Sequence, residues 1–190
     1  IVNKLLLKDV THGFSLPLPP ESVAFIQGAL VQPLGLAKQW TLNAKGDRIP
    51  KYRLTQDLSF SVSQDTCSVN DRIDMAQYAE MIYGWCLTRI LHFIVALRIA
   101  HPRQRIFIAK YDYSDAYRRI AHAASAAAQS ISIFGRVAYI ALRLTFGGSP
   151  NPPTWCLFSE MVTDLANEIY RCSSWNPHNL RSPAQPNTPT

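Results

Sequence analysis

Apolar positions recur along this chain in blocks whose period changes. Behind Pro20 and Glu21, the residues Val23, Phe25, Ile26, Ala29 and Leu30 predict a short helix. Proline suits a first helical turn, and an acid suits the positive end of the helix dipole. Gln32-Pro33-Leu34-Gly35 ends that block. Gln39–Leu42 and Lys51–Thr55 have strand character and flank the turn formers Asn43–Asp47, which reads as a β-hairpin. Residues 60–70 are Ser-rich and loop-like. From Asp71 or Asp74 onward, Met75, Tyr78, Ala79, Ile82, Leu87, Ile90, Phe93, Ile94 and Leu97 recur mostly at three- and four-residue steps. That spacing predicts one long helix with a buried face. It stops before His101-Pro102, because the residue ahead of a proline avoids the α region. Ile106–Ala109 then predicts a strand.

The second half continues in the same way. Arg118–Gln129 is alanine-rich and predicts a stretch at least partly helical. Ser130–Phe134 and Val137–Leu144 predict two strands joined at Gly135-Arg136. Gly147–Pro153 reads as a rigid loop. It leads into a helix over Thr154–Tyr170, with Trp155, Phe158, Met161, Val162, Leu165 and Ile169 on its inner face. Residues 1–20 read as an irregular entry ending in Pro17-Leu18-Pro19-Pro20, and the Pro-, Asn- and Ser-rich tail 173–190 as a flexible linker. There is no internal repeat. The order of elements predicts an α+β chain with its structured part over residues 1–172.

Composition narrows the partners. Apolar residues make up 47% of 190, enough for a sizeable core. The net charge of +6 favours a polyanionic partner, and much of the excess is arginine, which suits bidentate phosphate contacts. Cys67, Cys86, Cys156 and Cys172 are widely spaced, with no CxxC pair and no zinc-type cluster. They read as buried thiols of an intracellular protein, in cytoplasm or nucleus and not secreted. The apolar segment Ile82–Ala100 is broken by Arg89, His92 and Arg98, a poor membrane span and a better buried helix. The start Ile-Val-Asn lacks an initiator methionine and any signal-peptide pattern, so the expectation is a piece of something longer.

The candidate chemistry centres on Ile106–Tyr117. A β-favouring run delivers Asp112 where a strand would end, and Asp115-Ala116-Tyr117 follows with Arg118 and Arg119 behind it. A carboxylate so placed suits Mg²⁺, which takes one or two carboxylates and completes its shell with water and phosphate. The same residues also read as a surface turn whose Ser114 or Asp115 caps a helix.

Asp112-Tyr113-Ser114-Asp115-Ala116-Tyr117 resembles the first catalytic motif of reverse transcriptases. Leu144–Trp155 resembles the Phe-Gly segment of that family, followed by proline and an aromatic residue opening a helix. Arg53–Phe60 with Asn70 is similar to the fingers motif of retrotransposon enzymes, an arginine four residues before an aspartate and then an Asn. The resemblance implies the fingers and front of the palm of a right-hand polymerase. It implies Asp112 as the catalytic carboxylate, the carbonyl of Tyr113 as a further metal ligand, and two Mg²⁺ (or Mn²⁺) ions in a complete enzyme. It implies Arg53 against the triphosphate, Asp57 bracing the hairpin and Tyr117 as a steric gate at the ribose 2′-OH. Phe146 and Gly147 would lie beside the nascent base pair.

The implied partners are a primer on an RNA or DNA template and deoxynucleoside triphosphates, without a membrane. Thumb and RNase H domains are expected downstream. The family's other aspartates come from an aromatic-x-Asp-Asp hairpin, and no Asp-Asp pair occurs in this sequence. Asp164, inside the last predicted helix, is a poor substitute. The expectation is therefore a reverse-transcriptase portion with an incomplete catalytic set, inactive alone. Two alternatives stand beside it: a non-catalytic nucleic-acid-binding or structural remnant of a retroelement, and an unrelated basic α+β domain. The alanine-rich insert after Tyr117 and the turn formers Gly148-Ser149-Pro150-Asn151 depart from the commoner pattern.

Overall fold

The computed structural model describes residues 1–63, 65–81, 86–108 and 112–175. The chain divides into two compact units, 1–155 and 156–190. In the first, a helix α1 (Val2–Thr11) opens the chain where an irregular entry was expected. Val2, Leu5, Leu6 and Val10 share helical steps, and Leu6 is buried. The proline run at 17–20 masks that signal. Gly13, at φ 67, turns the chain into strand β1 (Ser15–Leu18).

β1 pairs antiparallel with β5 (Val137–Ala141), which pairs in turn with β4 (Ile131–Phe134), giving the order β1-β5-β4. Pro17 sits on the edge strand opposite Tyr139, the place where a residue without an N–H is tolerated. β4 and β5 turn at Gly135-Arg136 as expected. Gly135 alone has positive φ (63°), the pattern of a two-residue hairpin with glycine first. The core lies under this sheet. Ile131 and Ala138 are wholly buried with Ala127 and Ile140, and Leu18, Val23, Ile26, Ala29 and Leu142 pack against them.

The expected short helix is a 3₁₀ helix, Pro20–Phe25, and Val23 within it and Ile26 just after it reach the core. Extended backbone at Ile26 ends it, and Phe25 is left exposed. Likewise the alanine-rich stretch is helical only over α3 (Ala124–Ala128) and a 3₁₀ turn at Ala116–Arg119.

The second sheet is the expected hairpin, longer at both ends: β2 (Leu34–Leu42) pairs with β3 (Arg48–Gln56). Asn43 builds its turn. Its side-chain oxygen accepts from the backbone N–H of Lys45 and of Asp47, each at 2.9 Å, and Gly46 takes φ 86. The base of the hairpin is buried at Leu54 and Gln56, while its far end is exposed.

Three expectations fail here. The long helix from Asp71 is replaced by 3₁₀ turns at Asn70–Arg72 and Met75–Gln77, followed by helix α2 (Cys86–Ala100). Residues 82–85 of that expectation lie outside the described residues. The Asp71 carboxylate accepts from the Ser68 backbone and hydroxyl, and Asp74 caps the second turn by accepting from the Ala76 N–H, but extended backbone at Ile73 and Tyr78 ends each turn. Nor is α2 a buried helix, since none of its residues is buried. Its apolar side chains run round the cylinder and form no single stripe to dock. No helix of the described residues is long and apolar enough to cross a membrane. The cysteines are not buried thiols: Cys67, Cys86 and Cys172 are exposed and Cys156 is half-buried.

The last helix, α4 (Asn151–Arg171), starts three residues before the expected Thr154, so the rigid loop ends at Pro150. The unit boundary falls inside it, after Trp155. In the second unit, Val162 and Ile169 are half-buried, but Met161 and Leu165 of the expected inner face are exposed. Most of the expected linker, residues 176–190, lies outside the described residues.

Candidate functional site

Strand β3 ends in Gln56, whose backbone N–H donates to the carbonyl of Phe146 at 2.9 Å. That bond brings the Arg53 segment beside the Phe146-Gly147 segment. Gly147 lies so close that a methyl group at its Cα would overlap the Gln56 carbonyl oxygen, and its φ of 124° is one that side-chain-bearing residues rarely adopt. Only glycine fits there. Asn70 closes the junction. Its Nδ2 donates to the Gly147 carbonyl and to Ser59 Oγ, each at 2.9 Å, and its Oδ1 accepts from the Ser149 N–H at 2.9 Å. Asp57 turns the chain between these segments. Its carboxylate accepts from the Ser59 N–H at 3.1 Å, and its own N–H donates to the Pro33 carbonyl.

The third segment arrives through the continuation of β5. Leu144 donates to the Ile120 carbonyl and Ala121 bridges Arg143, so the turn 116–119 is carried beside residues 144–147. The ring of Tyr117 then meets that of Phe146, centroids 5.0 Å apart. The Arg53 guanidinium lies over Phe146 at 5.3 Å. Arg53 is half-buried and pairs with no carboxylate among the described residues. Burial raises the pKa of the Tyr117 phenol, which keeps it a neutral donor at ordinary pH. Tyr113 stands apart from this cluster, its ring edge-on to Trp155 at 5.2 Å.

Helix α1 holds the turn from the other side, a role that sequence reading missed. Arg118 Nη2 donates to Asp9 Oδ2 at 2.6 Å, and Lys8 Nζ reaches Asp115 Oδ1 at 3.2 Å. Asp115 takes the left-handed conformation, φ 51, which aspartate tolerates better than most residues. It occupies the cap position expected of it but makes no cap hydrogen bond, because its carboxylate is turned to Lys8. Partial burial acts to raise its pKa, but the hydrogen bond and charge of Lys8, with the Ser114 hydroxyl and the charge of His12, together outweigh it and lower the pKa. For Asp9 the balance reverses: burial outweighs the attraction of Arg118 and raises its pKa. The sequence signal, a Lys-Asp pair a hundred residues from an Asp-x-x-Arg, is too weak to find without the fold.

Asp112 does not join the cluster. Ile106–Ile108 form no strand, Phe107 and Ile108 are exposed, and Asp112 is exposed too. The strand expected at 106–109 is thus absent over its described residues, and Ala109 lies outside them with Lys110 and Tyr111. These residues pair with no edge of either sheet, and two or three apolar residues cannot hold an unpaired strand. The residues present do not fit a two-ion centre. Among the described residues no group of three or more acid, His or Cys side chains could hold a metal, and the nearby Asp115 and Asp9 are committed to Lys8 and Arg118. The carboxylate of Asp112 and the carbonyl of Tyr113 offer fewer oxygen ligands than two such ions need.

In comparisons with protein-family models, curated proteins and solved structures, nothing matches this chain.

Proposed function

We propose that Arg53, Tyr117, Phe146 and Gly147 form the nucleotide-contacting surface of a reverse-transcriptase-like segment, the fingers and front of the palm of a template-directed nucleotidyl transferase. One observation carries this reading. Three segments singled out for their resemblance to that family, spread from Arg53 to Gly147 along the chain, meet in one cluster. Arg53 brings a cation with bidentate donors, suited to a phosphate chain. Phe146 and Tyr117 supply rings suited to a base and a sugar edge, and Gly147 lets backbone approach closely. Primed template and deoxynucleoside triphosphate are the ligands this surface would take.

The test is filter binding of a labelled primer–template duplex across a salt series, with the unchanged chain and Arg53→Ala. Binding that is present at low salt and weakens steeply as salt rises supports the reading, because phosphate contacts release counterions. Absence of binding at low salt overturns it.

A second reading, a nucleic-acid-binding remnant without catalysis, is favoured by one feature: Asp112 is exposed and outside any strand. The readings separate at that residue. A catalytic segment, completed by its missing carboxylates, loses primer extension on Asp112→Asn and keeps duplex binding. A remnant extends no primer in either form.

A further inference from the structure

A small cavity of about 20 Å³ adjoins the aromatic cluster, lined among others by Asp9, Gln56, Arg118, Ser132 and Thr145. Three of these side chains carry buried polar atoms without a hydrogen-bond partner: Gln56 Oε1, Arg118 Nη1 and Thr145 Oγ1. Gln56 is 7% exposed and Thr145 4%. The Gln56 amide cannot be turned over to relieve its oxygen. Its Nε2 donates to the Ser130 carbonyl at 3.1 Å and to Ser132 Oγ at 3.0 Å, and exchange would set oxygen against the Ser130 oxygen. Arg118 cannot turn away either, since its Nη2 is held by Asp9.

We propose that this cavity is a binding site for one water molecule, bridging Gln56 Oε1, Arg118 Nη1 and Thr145 Oγ1. The chemistry of the lining selects the occupant. The Arg118 guanidinium repels a cation. The Asp9 carboxylate and the Gln56 oxygen repel an anion. An occupant must accept from Arg118 and donate to Gln56, and only a small neutral molecule does both. The volume suits a single water, which needs about 10–15 Å³ and two to four polar partners. The water accepts the Arg118 N–H, donates one hydrogen to Gln56 and the other to Thr145. Each partner adjoins the cluster: Gln56 bonds the Phe146 carbonyl, Thr145 precedes Phe146, and Arg118 follows Tyr117. The water therefore ties together the backbone segments that present the two rings, whatever ligand those rings meet.

Two measurements on the whole chain test it. In water–protein NOE spectra, a long-lived water should give cross-peaks to the Thr145 methyl and the Gln56 side-chain amide. Thr145→Val removes the hydroxyl at nearly constant shape. With a bound water, the change strips one of its partners and raises the unfolding equilibrium constant about fivefold or more. In a dry cavity the same change removes an unpaired buried hydroxyl, so stability stays level or rises. Cross-peaks together with a destabilised variant support the site. Missing cross-peaks in the assigned spectrum overturn it whatever the variant does. A neutral or stabilised variant overturns the role of Thr145 as a partner, and with it the bridge as stated.

Discussion

Asp9 and Arg118 show what burial does to an ion pair. Both side chains are 14% exposed and meet at 2.6 Å, yet Asp9 is held above its ordinary carboxylate pKa and Arg118 below its ordinary value, each chiefly by desolvation. Such a pair is costly to break and adds little beyond an apolar replacement. Arg118→Ala, which leaves the Asp9 carboxylate buried without its partner, should therefore cost about 3–5 kcal/mol in urea unfolding. His122 gives a pH signature. Burial first, and the charge of Arg118 second, hold its pKa below the ordinary 6.5. A depressed histidine pKa stabilises the fold above pH about 6.5, and that contribution is lost as pH falls from there toward the folded value. Stability should fall as the pH is lowered from neutral through that window, and His122→Gln should flatten the slope. Gly147→Ala should destabilise by about 3 kcal/mol or more, because its methyl would meet backbone at a φ reserved for glycine. The importance of Gly147 was legible in the sequence as half of a Phe-Gly pair. The bridging role of Asn70 was visible only as a position, since nothing in one sequence says which carbonyls an amide will span.

At the scale of elements, hairpins were easier to read than helices. The turn Asn43–Asp47 and the pair Gly135-Arg136 carry their own geometry within a few residues, so β2–β3 and β4–β5 fell close to where they were expected. The helix expected from Asp71 is interrupted because Ile73 and Tyr78 take extended backbone after the short turns at Asn70–Arg72 and Met75–Gln77. Strand character at 106–108 failed because a strand depends on a partner edge that no local pattern supplies. The hairpin also sets an expectation for binding. Lys45, Arg48 and Lys51 lie at its exposed far end. Replacing all three with Ala should weaken duplex binding and make the salt dependence shallower, by a slope of about 0.9 for each phosphate that is no longer neutralised. Filter binding at several salt concentrations measures both. A slope that does not change would place the phosphate-binding cations elsewhere.

For the whole molecule, α+β was legible from the order of blocks. What the sequence hid is the part made by long-range pairing. The pairing of β1 with β5 and the ion pairs from α1 to the 115–118 turn have no local signature, because half of each interaction lies more than a hundred residues away. Chemistry needs more than this cluster. With Asp112 exposed and the nearby acids paired to cations, the chain alone should bind primed template without extending it, in Mg²⁺ or Mn²⁺. A gel assay of primer extension checks this, and robust extension would show that an acid such as Asp164 completes the site.

The pairing of Ser15 with Ala141 has a consequence in time. During synthesis β1 emerges before every other described strand, and the strand it pairs with is made after all the others described. At roughly 5–20 residues per second, the first strand waits on the order of ten seconds for its edge. Through that interval its backbone groups are open to any neighbouring strand, on the ribosome or on another nascent chain. Pro17 cannot donate to such a stranger, so the residue tolerated at the edge of β1 also guards it while it waits.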